Sequence, residues 1–507
     1  MQTRISVVFA FLSAALVFNP ASAESLRVWL DGKGKKAYDP EASIYAAAPF
    51  MSAVFGHLLH TDSSYNLKPG LLKSWRWDFK EKVYILELRE GLFFHSGRPV
   101  TAKDLEFSIL RGFFSSRASF YRQILSNLEG TDKIEVGQSF KPGAVSGVTV
   151  LDERRLKIKL QRPNPSFLHS LSYSYLSIVP QEALRDDYFT WKDLPVGAGP
   201  YKVVNSDSQS SRIRLEAVYG SGPKVVEVFT ENDRTGADLL LWVNSSPEMN
   251  KMKRVIGPQS NSATMLFFNY EHPLGNDIRF RKALSAGLRR QALVTGQKAF
   301  KPTYELLPSH FWGRAGIADP YDQAEAKKLL AEVRKAHPEL LNAPIRVSVR
   351  TSDFFEDSIK LLKEQFDSLG LQVDIFFDTE KHVARSETGI CLFVYSLAFF
   401  DLDPLLKFWN FVRYPNNPLY NAAPPKDERL LSLLEEAGSA ESFDVRVETI
   451  KSLSQYVIDQ SFVVPLYERL ASVIYNPSVI SDLGHQDGFI WFYLNHLKLQ
   501  KKPRNEN

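Results

Sequence analysis

Between residues 322 and 377 the chain reads as helix, strand, helix, strand. Asp322 to Lys335 and Ser358 to Leu369 read as helices, and each is followed by a strand candidate, Ile345 to Arg350 and Val373 to Phe377. This alternation constrains the fold more than any other feature, because strands separated by helices build an α/β unit. Two further helices are expected at Glu428 to Ala437 and Asp444 to Gln460, and one long helix at Asp277 to Val294. The first half reads differently. Leu26 to Leu30 is a strand, and Ser43 to Leu59 a helix with Pro49 as a weakness inside it. Trp75 to Leu88 alternates around a central FKEK turn, and Val148 to Leu160 alternates likewise, so both predict hairpins. Thr101 followed three residues later by Asp104 resembles a capping box, opening a helix from Ala102 to about Phe113. Gln161 to Pro165 breaks the second hairpin and suggests a boundary. No fixed-period repeat or low-complexity linker is present, and Lys501 to Asn507 reads as a frayed polar tail.

A chain of 507 residues favours two or three domains. Its formal charge of +4 is small for that size, which argues against nucleic acid as a partner. Met1 to Arg4 is a short basic start, Ile5 to Phe18 is apolar, and Ala21-Ser22-Ala23 supplies small residues. The pattern is that of a secretory signal peptide cleaved after Ala23. The apolar run is shorter than the ~20 residues of a spanning helix, and no later segment is long and apolar enough. The single cysteine, Cys391, lies in GICLFVYSL, a strand candidate, and reads as an inert core thiol.

The stretch Tyr395 to Phe411 (YSLAFFDLDPLLKFWNF) sets Asp401 and Asp403 in an apolar, aromatic run. A buried carboxylate is costly unless it is paired or hydrogen-bonded. Asp403 stands before Pro404 and suits a turn or helix start. Asp401 is divided evenly between a ligand contact and solvent. Tyr395, Phe399, Phe400 and Trp409 have the character to line an apolar cleft, although aromatics so spaced are more often core.

Other chemistry is sparse. His57 and His60 sit three residues apart, on one face if the segment is helical, but no further metal ligands accompany them. His95 lies in a turn and is expected to stabilise it. Arg111, Arg117 and Arg122 are candidates for a ligand anion, but solvated positions are commoner for arginine. Gly197-Ala198-Gly199 precedes Pro200 and a strand, which disfavours a phosphate cradle. No nucleophile elbow, Walker loop, dinucleotide fingerprint or HExxH helix is present. No set of acid, base and nucleophile emerges, so neither catalysis nor a cofactor or metal is expected.

Several stretches resemble, in order, the family 5 extracellular solute-binding proteins of ABC importers, the group of dipeptide-, oligopeptide- and nickel-binding proteins. Tyr38-Asp39-Pro40 is similar to its "LDP" segment, and Leu67 to Trp75 to "PxLAxSW". Tyr84 to Leu110 resembles its strand-turn-helix signature, and Val196 to Tyr201 its "GTGPY", with Ala198 for Thr. Phe268-Asn269 with Asp277 to Leu284 resembles "FN…DVRVRQAL", and Val464 to Tyr467 the late "PLY" strand. No one motif is strong, but their order spans nearly the whole chain.

The resemblance implies an α/β, two-lobed periplasmic-binding-protein-like fold with a hinge, in the large class that carries an extra inserted domain. After a signal peptide at 1–23, domain I would comprise 24–55, 163–264 and 478–507 with the tail. Domain II would be inserted at 56–162, and domain III, 265–477, would form the second lobe. Crossings would fall near Ser262 to Phe268 and Tyr475 to Ile480. Hinge closure would bury a small solute, most readily a peptide or modified peptide, and present it to an inner-membrane permease. The protein would be a periplasmic monomer. Metal chelates, sugars, opine-like compounds and a non-transport envelope role as receptor or scaffold stay open. In peptide-binding members an Asp before a proline-containing loop pairs with the peptide ammonium. Anchored on Asp403-Pro404, that position falls at Phe400, with Asp401 one residue later. Phe400, Asp401, Tyr395 and Trp409 are therefore the ligand-binding candidates. The family has Glu-Gly where this chain has Gly56-His57, and it shares His95 without a catalytic role.

Overall fold

A computed structural model of the chain describes residues 25–30, 48–62, 66–116, 122, 125–172, 176–207, 212–230, 234–241, 251–350, 356–378, 389, 391–398, 403–405, 407–409, 425–484 and 493–500. The signal segment lies outside these residues, as do Arg117, Phe399, Phe400 and Asp401.

One large sheet runs through the molecule. Its strands are ordered Val373–Asp378, Ile345–Arg350, Leu392–Ala398, Lys253–Phe268, Val463–Tyr475, Leu239–Leu241, Ser25–Trp29, Val225–Phe229, Arg212–Ala217 and Tyr201–Asp207. Phe300–Pro302 pairs in addition with Val463–Tyr475. Ile345–Arg350 lies parallel to both Val373–Asp378 and Leu392–Ala398, the pairing that helical crossovers produce. A separate four-stranded sheet holds both expected hairpins, Leu72–Asp78 with Val83–Leu88 and Val148–Val150 with Arg155–Lys159.

Side-chain alternation shows how the second half is layered. Leu266, Phe268, Leu392 and Val394 enter one apolar cluster, with helices Ile278–Gly287, Gln323–Ala336 and Glu356–Ser368 supplying Leu284, Leu330 and Phe366. Met265, Phe267, Phe393 and Tyr395 point the other way, into a cluster completed by Glu428–Gly438 and Phe443–Asp459. Successive strand residues face opposite sides of a sheet, so helices cover both faces. The first half has its own core, from Leu26 through Phe107, Phe167 and Leu241.

Among the described residues, two strands serve both halves. Lys253–Phe268 contributes Val255 to the first core and Ala263 onward to the second half. Val463–Tyr475 contributes Val464 to Tyr467 to the second half and Ala471 and Val473 to the first core. Their mutual pairing slips between Ile256 and Ser260, between Ser260 and Ser262, and between Thr264 and Met265.

Two expected helices are shorter. The helix expected over Ser43 to Leu59 is Ala48–Phe55 among the described residues. Gly56, at φ 74°, ends it in the left-handed conformation, so His57 and His60 do not share a helix face. The segment Asp277 to Val294 forms two helices, Ile278–Gly287 and Arg290–Leu293. Leu288 is extended between them (ψ 119°). The buried Arg290 guanidinium turns back to donate to the Ser285 and Leu288 carbonyls at 2.5 and 2.9 Å, satisfying acceptors at the broken end.

Candidate functional site

The helix Phe443–Asp459 begins at Ser442, whose hydroxyl accepts from the Val445 N–H at 3.3 Å. Its buried face carries Arg446, Ile450, Leu453 and Val457, a helical stripe with one cation in it. Arg446 therefore projects inward. Its Nη1 donates to the Ala437 carbonyl at 2.9 Å, at the C-terminal end of the preceding helix, where a cation is favoured. Its Nη2 donates to Asp403 Oδ2 at 2.6 Å. The two side chains are 2% and 4% exposed, so this charge-assisted bond is fully enclosed. Asp403 Oδ1 accepts from the Leu405 N–H at 3.1 Å, the helix-start role its place before Pro404 predicts.

A third partner arrives from the other core. Ser166 Oγ lies 2.8 Å from Asp403 Oδ2. Ser166 stands at the N-cap position of the short helix Phe167–Ser170, with its hydroxyl making no capping bond, and that helix buries Phe167 and Leu168 in the first core. Asn164 Oδ1 accepts from Ser166 N at 3.1 Å, and the Asn164 carbonyl accepts from Tyr84 Oη at 2.9 Å. Burial drives the Tyr84 phenol pKa up, and the Arg446 charge opposes the shift. Beside this junction the His169 ring stacks on Phe443, centroids 5.6 Å apart and planes 18° from parallel. The Trp312 ring lies tilted against Phe443, centroids 4.9 Å apart. The first core and the second half thus meet through a buried acid, a buried arginine, a hydroxyl and a ring stack.

Tyr395 is 4% exposed, faces the cluster under the Phe443 helix and stacks with Phe393 at 6.0 Å. Trp409 is half-buried against the same cluster. These two candidates are brought to one apolar body, and Phe400 and Asp401 lie outside the described residues. Nothing in the sequence around Asp403 specifies its ion pair with Arg446, 43 residues on. Arg446 was legible as an arginine on an apolar helical stripe, but Ser166 carried no sign of its partner.

Elsewhere the side chains have structural tasks. His95 Nε2 donates to the Gly199 carbonyl at 2.9 Å while its Nδ1 accepts from Gly197 N at 3.4 Å, which holds the Gly-Ala-Gly-Pro turn. Its burial lowers the imidazole pKa, favouring the neutral ring this arrangement needs. Arg111 is not solvated: it is fully buried and donates to the Tyr188 carbonyl at 2.9 Å. Arg122 donates to the Gly112 carbonyl at 2.6 Å. His57 Nδ1 lies 3.2 Å from the Ser172 carbonyl and His60 Nδ1 2.8 Å from Tyr493 Oη. Among the described residues no group of three or more His, Cys, Asp or Glu side chains is arranged to hold a metal ion. Nor is any described helix long and apolar enough to cross a membrane.

Where the two shared strands slip, Ser260 N–H leaves the ladder and donates to His310 Nδ1 at 3.2 Å. Desolvation of the ring, then the charges of Lys301 and Arg314, hold the His310 pKa down at about 3.

Comparison with known proteins agrees with this architecture. Residues 66–228 and 237–417 match the sequence model of the bacterial extracellular solute-binding proteins, family 5. The periplasmic oligopeptide-binding protein OppA of Salmonella typhimurium is 27% identical over 476 residues, 84% of this chain and 83% of that one. OppA of Escherichia coli is 30% identical over 317 residues, 55% of this chain, and the match spans 57% of that relative's length. The crystal structure of Haemophilus influenzae OppA in complex with the peptide RPPGFSPFR superimposes with a TM-score of 0.73 at 16% identity. That superposition covers 94% of this chain and 99% of the other, a likeness of fold.

Proposed function

Because the chain belongs to the bacterial extracellular solute-binding proteins of family 5, we propose that it is the periplasmic receptor of an ABC importer. It captures a small solute, a peptide or modified peptide, between two lobes and delivers it to an inner-membrane permease. The observation that carries the reading is the pair of shared strands. The two halves have separate cores, and among the described residues the large sheet passes between them through Lys253–Phe268 and Val463–Tyr475, which slip out of register at the crossing. Independent cores joined by an irregular two-strand crossing suit hinge closure over a ligand.

In this reading domain I takes 24–55, 163–264 and 478–507, domain II 56–162, and domain III 265–477. The ligand meets the segment before Pro404. Asp401 pairs with a cationic group, Phe400 packs against the solute, and Tyr395 and Trp409 support that wall from the apolar cluster behind it. The peptide preference draws on the OppA relatives, whose names state oligopeptide binding. The receptor acts as a monomer.

Native mass spectrometry of protein purified from the periplasm, before and after mild unfolding, tests the reading. A discrete mass lost on unfolding is expected, with fragments that identify a peptide. Fragments of a chelate, sugar or opine-like compound would replace the solute class. Absence of any bound mass, followed by a thermal-shift screen of all these classes in which no compound raises Tm, would overturn the receptor role.

A further inference from the structure

Ser166 carries one hydroxyl proton and has two acceptors within reach. Asn164 Oδ1 lies at 2.9 Å and Asp403 Oδ2 at 2.8 Å. The oxygen assignment at Asn164 rests on the backbone, since the Ser166 N–H donates to the same atom at 3.1 Å. The two acceptors belong to different bodies. Asn164 sits two residues away, beside the first core, whereas Asp403 is tied to the second half through Arg446 and leads into Leu405 of its cluster. A hydroxyl proton is donated fully to one acceptor at a time, and a carboxylate is the stronger of the two.

We infer that the Ser166 hydroxyl is a closure contact that passes between Asp403 and Asn164 as the two cores meet and part. With the cores together it donates to the carboxylate, and the His169 and Phe443 rings stack beside it. With the cores apart it turns to Asn164 Oδ1. Asp403 keeps Arg446 Nη2 at 2.6 Å and the Leu405 N–H at 3.1 Å throughout. Neither Ser166 Oγ nor the Asp403 carboxylate is left without a partner, and a buried polar group lacking one is what makes an interface costly to open. Closure thus gains one charge-assisted bond and one ring contact, and opening sacrifices little, which suits a receptor that must release what it holds. The inference deepens the receptor reading and rests on it only in requiring the cores to move.

Single-molecule energy transfer on the mature, ligand-stripped chain tests it without knowledge of the solute. Fluorophores are placed at Val136→Cys and Lys360→Cys, two exposed positions on different cores. Cys391 is 1% exposed and stays unlabelled. Two distance populations are expected. Ser166→Ala should lower the closed-to-open ratio about fivefold, less than a charge-assisted bond with no alternative acceptor would imply. Ser166→Thr, which keeps the hydroxyl, should restore the ratio to within about twofold. An unchanged ratio in Ser166→Ala overturns the contact, and so does an equal loss in Ser166→Thr. If wild type shows two populations and either of these results, only the closure contact fails. A single fixed distance in ligand-free wild type also overturns the contact, and leaves the receptor reading, which requires closure only over a bound solute, to the mass-spectrometric test.

Discussion

Arg446 Nη2 and Asp403 Oδ2 are 2.6 Å apart, with both side chains almost wholly out of water, although 43 residues separate them in the chain. Desolvating two charges costs several kcal/mol, and only close geometry and full hydrogen bonding repay it. Here the acid has three donors and the base reaches a helix-end carbonyl besides, while Arg446 Nε has no hydrogen-bond partner among the described residues.

Removing one partner should therefore be expensive. Arg446→Ala is expected to destabilise the protein by about 3–5 kcal/mol, because Asp403 would remain as a buried charge. Chemical denaturation followed through both cores would read it as an early loss of the second half. The double variant Arg446→Met with Asp403→Leu should recover part of that loss, as apolar replacements of buried ion pairs often do. A stability within about 1 kcal/mol of wild type for Arg446→Ala would contradict the burial argument.

His310 gives a pH dependence with a definite sign. Its pKa in the folded protein is about 3, below the ordinary 6.5, so the unfolded chain binds a proton more readily. Its contribution is intact above pH 6.5 and is lost progressively as pH falls toward about 3. The slope from this one group is at most about 1.4 kcal/mol per pH unit. Replacement by Gln retains an acceptor for Ser260 N–H and cannot titrate. His310→Gln should flatten the acid limb of the stability profile; a limb of unchanged slope would show that other groups govern it.

The Gly-Ala-Gly turn makes a steric prediction. A Cβ at Gly197 would collide with the Val54 carbonyl oxygen and one at Gly199 with that of Ala53, so the turn packs its backbone on the Ala48–Phe55 helix. Gly197→Ala is expected to lower stability by about 1–3 kcal/mol through overpacking. Gly91→Ala, where φ is 68° with open space around it, should cost about 1 kcal/mol from backbone strain alone. Equal thermal shifts for the two variants would remove the close approach as the cause.

Asp401→Asn is expected to weaken a cationic solute more than about tenfold, the scale of one charge-assisted bond, while the unliganded Tm stays near wild type. Titration calorimetry with the solute identified by mass spectrometry measures the first, and a thermal scan the second. Equal affinity would assign the ammonium contact elsewhere.

Cys391 should be silent toward thiol reagents in the folded protein. It is buried in the core beneath the sheet, and burial pushes its thiol pKa up, so little thiolate forms. Reaction with a disulfide reagent should follow global unfolding, with one equivalent released in denaturant. Rapid labelling under native conditions would place the thiol outside the core.

Much of this protein was legible before any coordinates. The two hairpins, the Thr101–Asp104 capping box, the helix–strand succession through 322–377 and the His95 turn are all present where local pattern puts them. They rest on interactions within a few residues, or on a periodicity that a short window reveals. The overlong helices at 43–59 and 277–294 failed at one glycine and one extended residue, because periodicity does not register a single terminating φ or ψ. The order of family motifs was readable too, and it led to the fold. What sat beyond reach was the junction. Ser166 and Asp403 are 237 residues apart, and nothing near either one specifies the other. Their meeting depends on how two separately built cores are set against each other by a pair of slipping strands. That placement is decided by packing summed over both halves, and only the tertiary structure contains it.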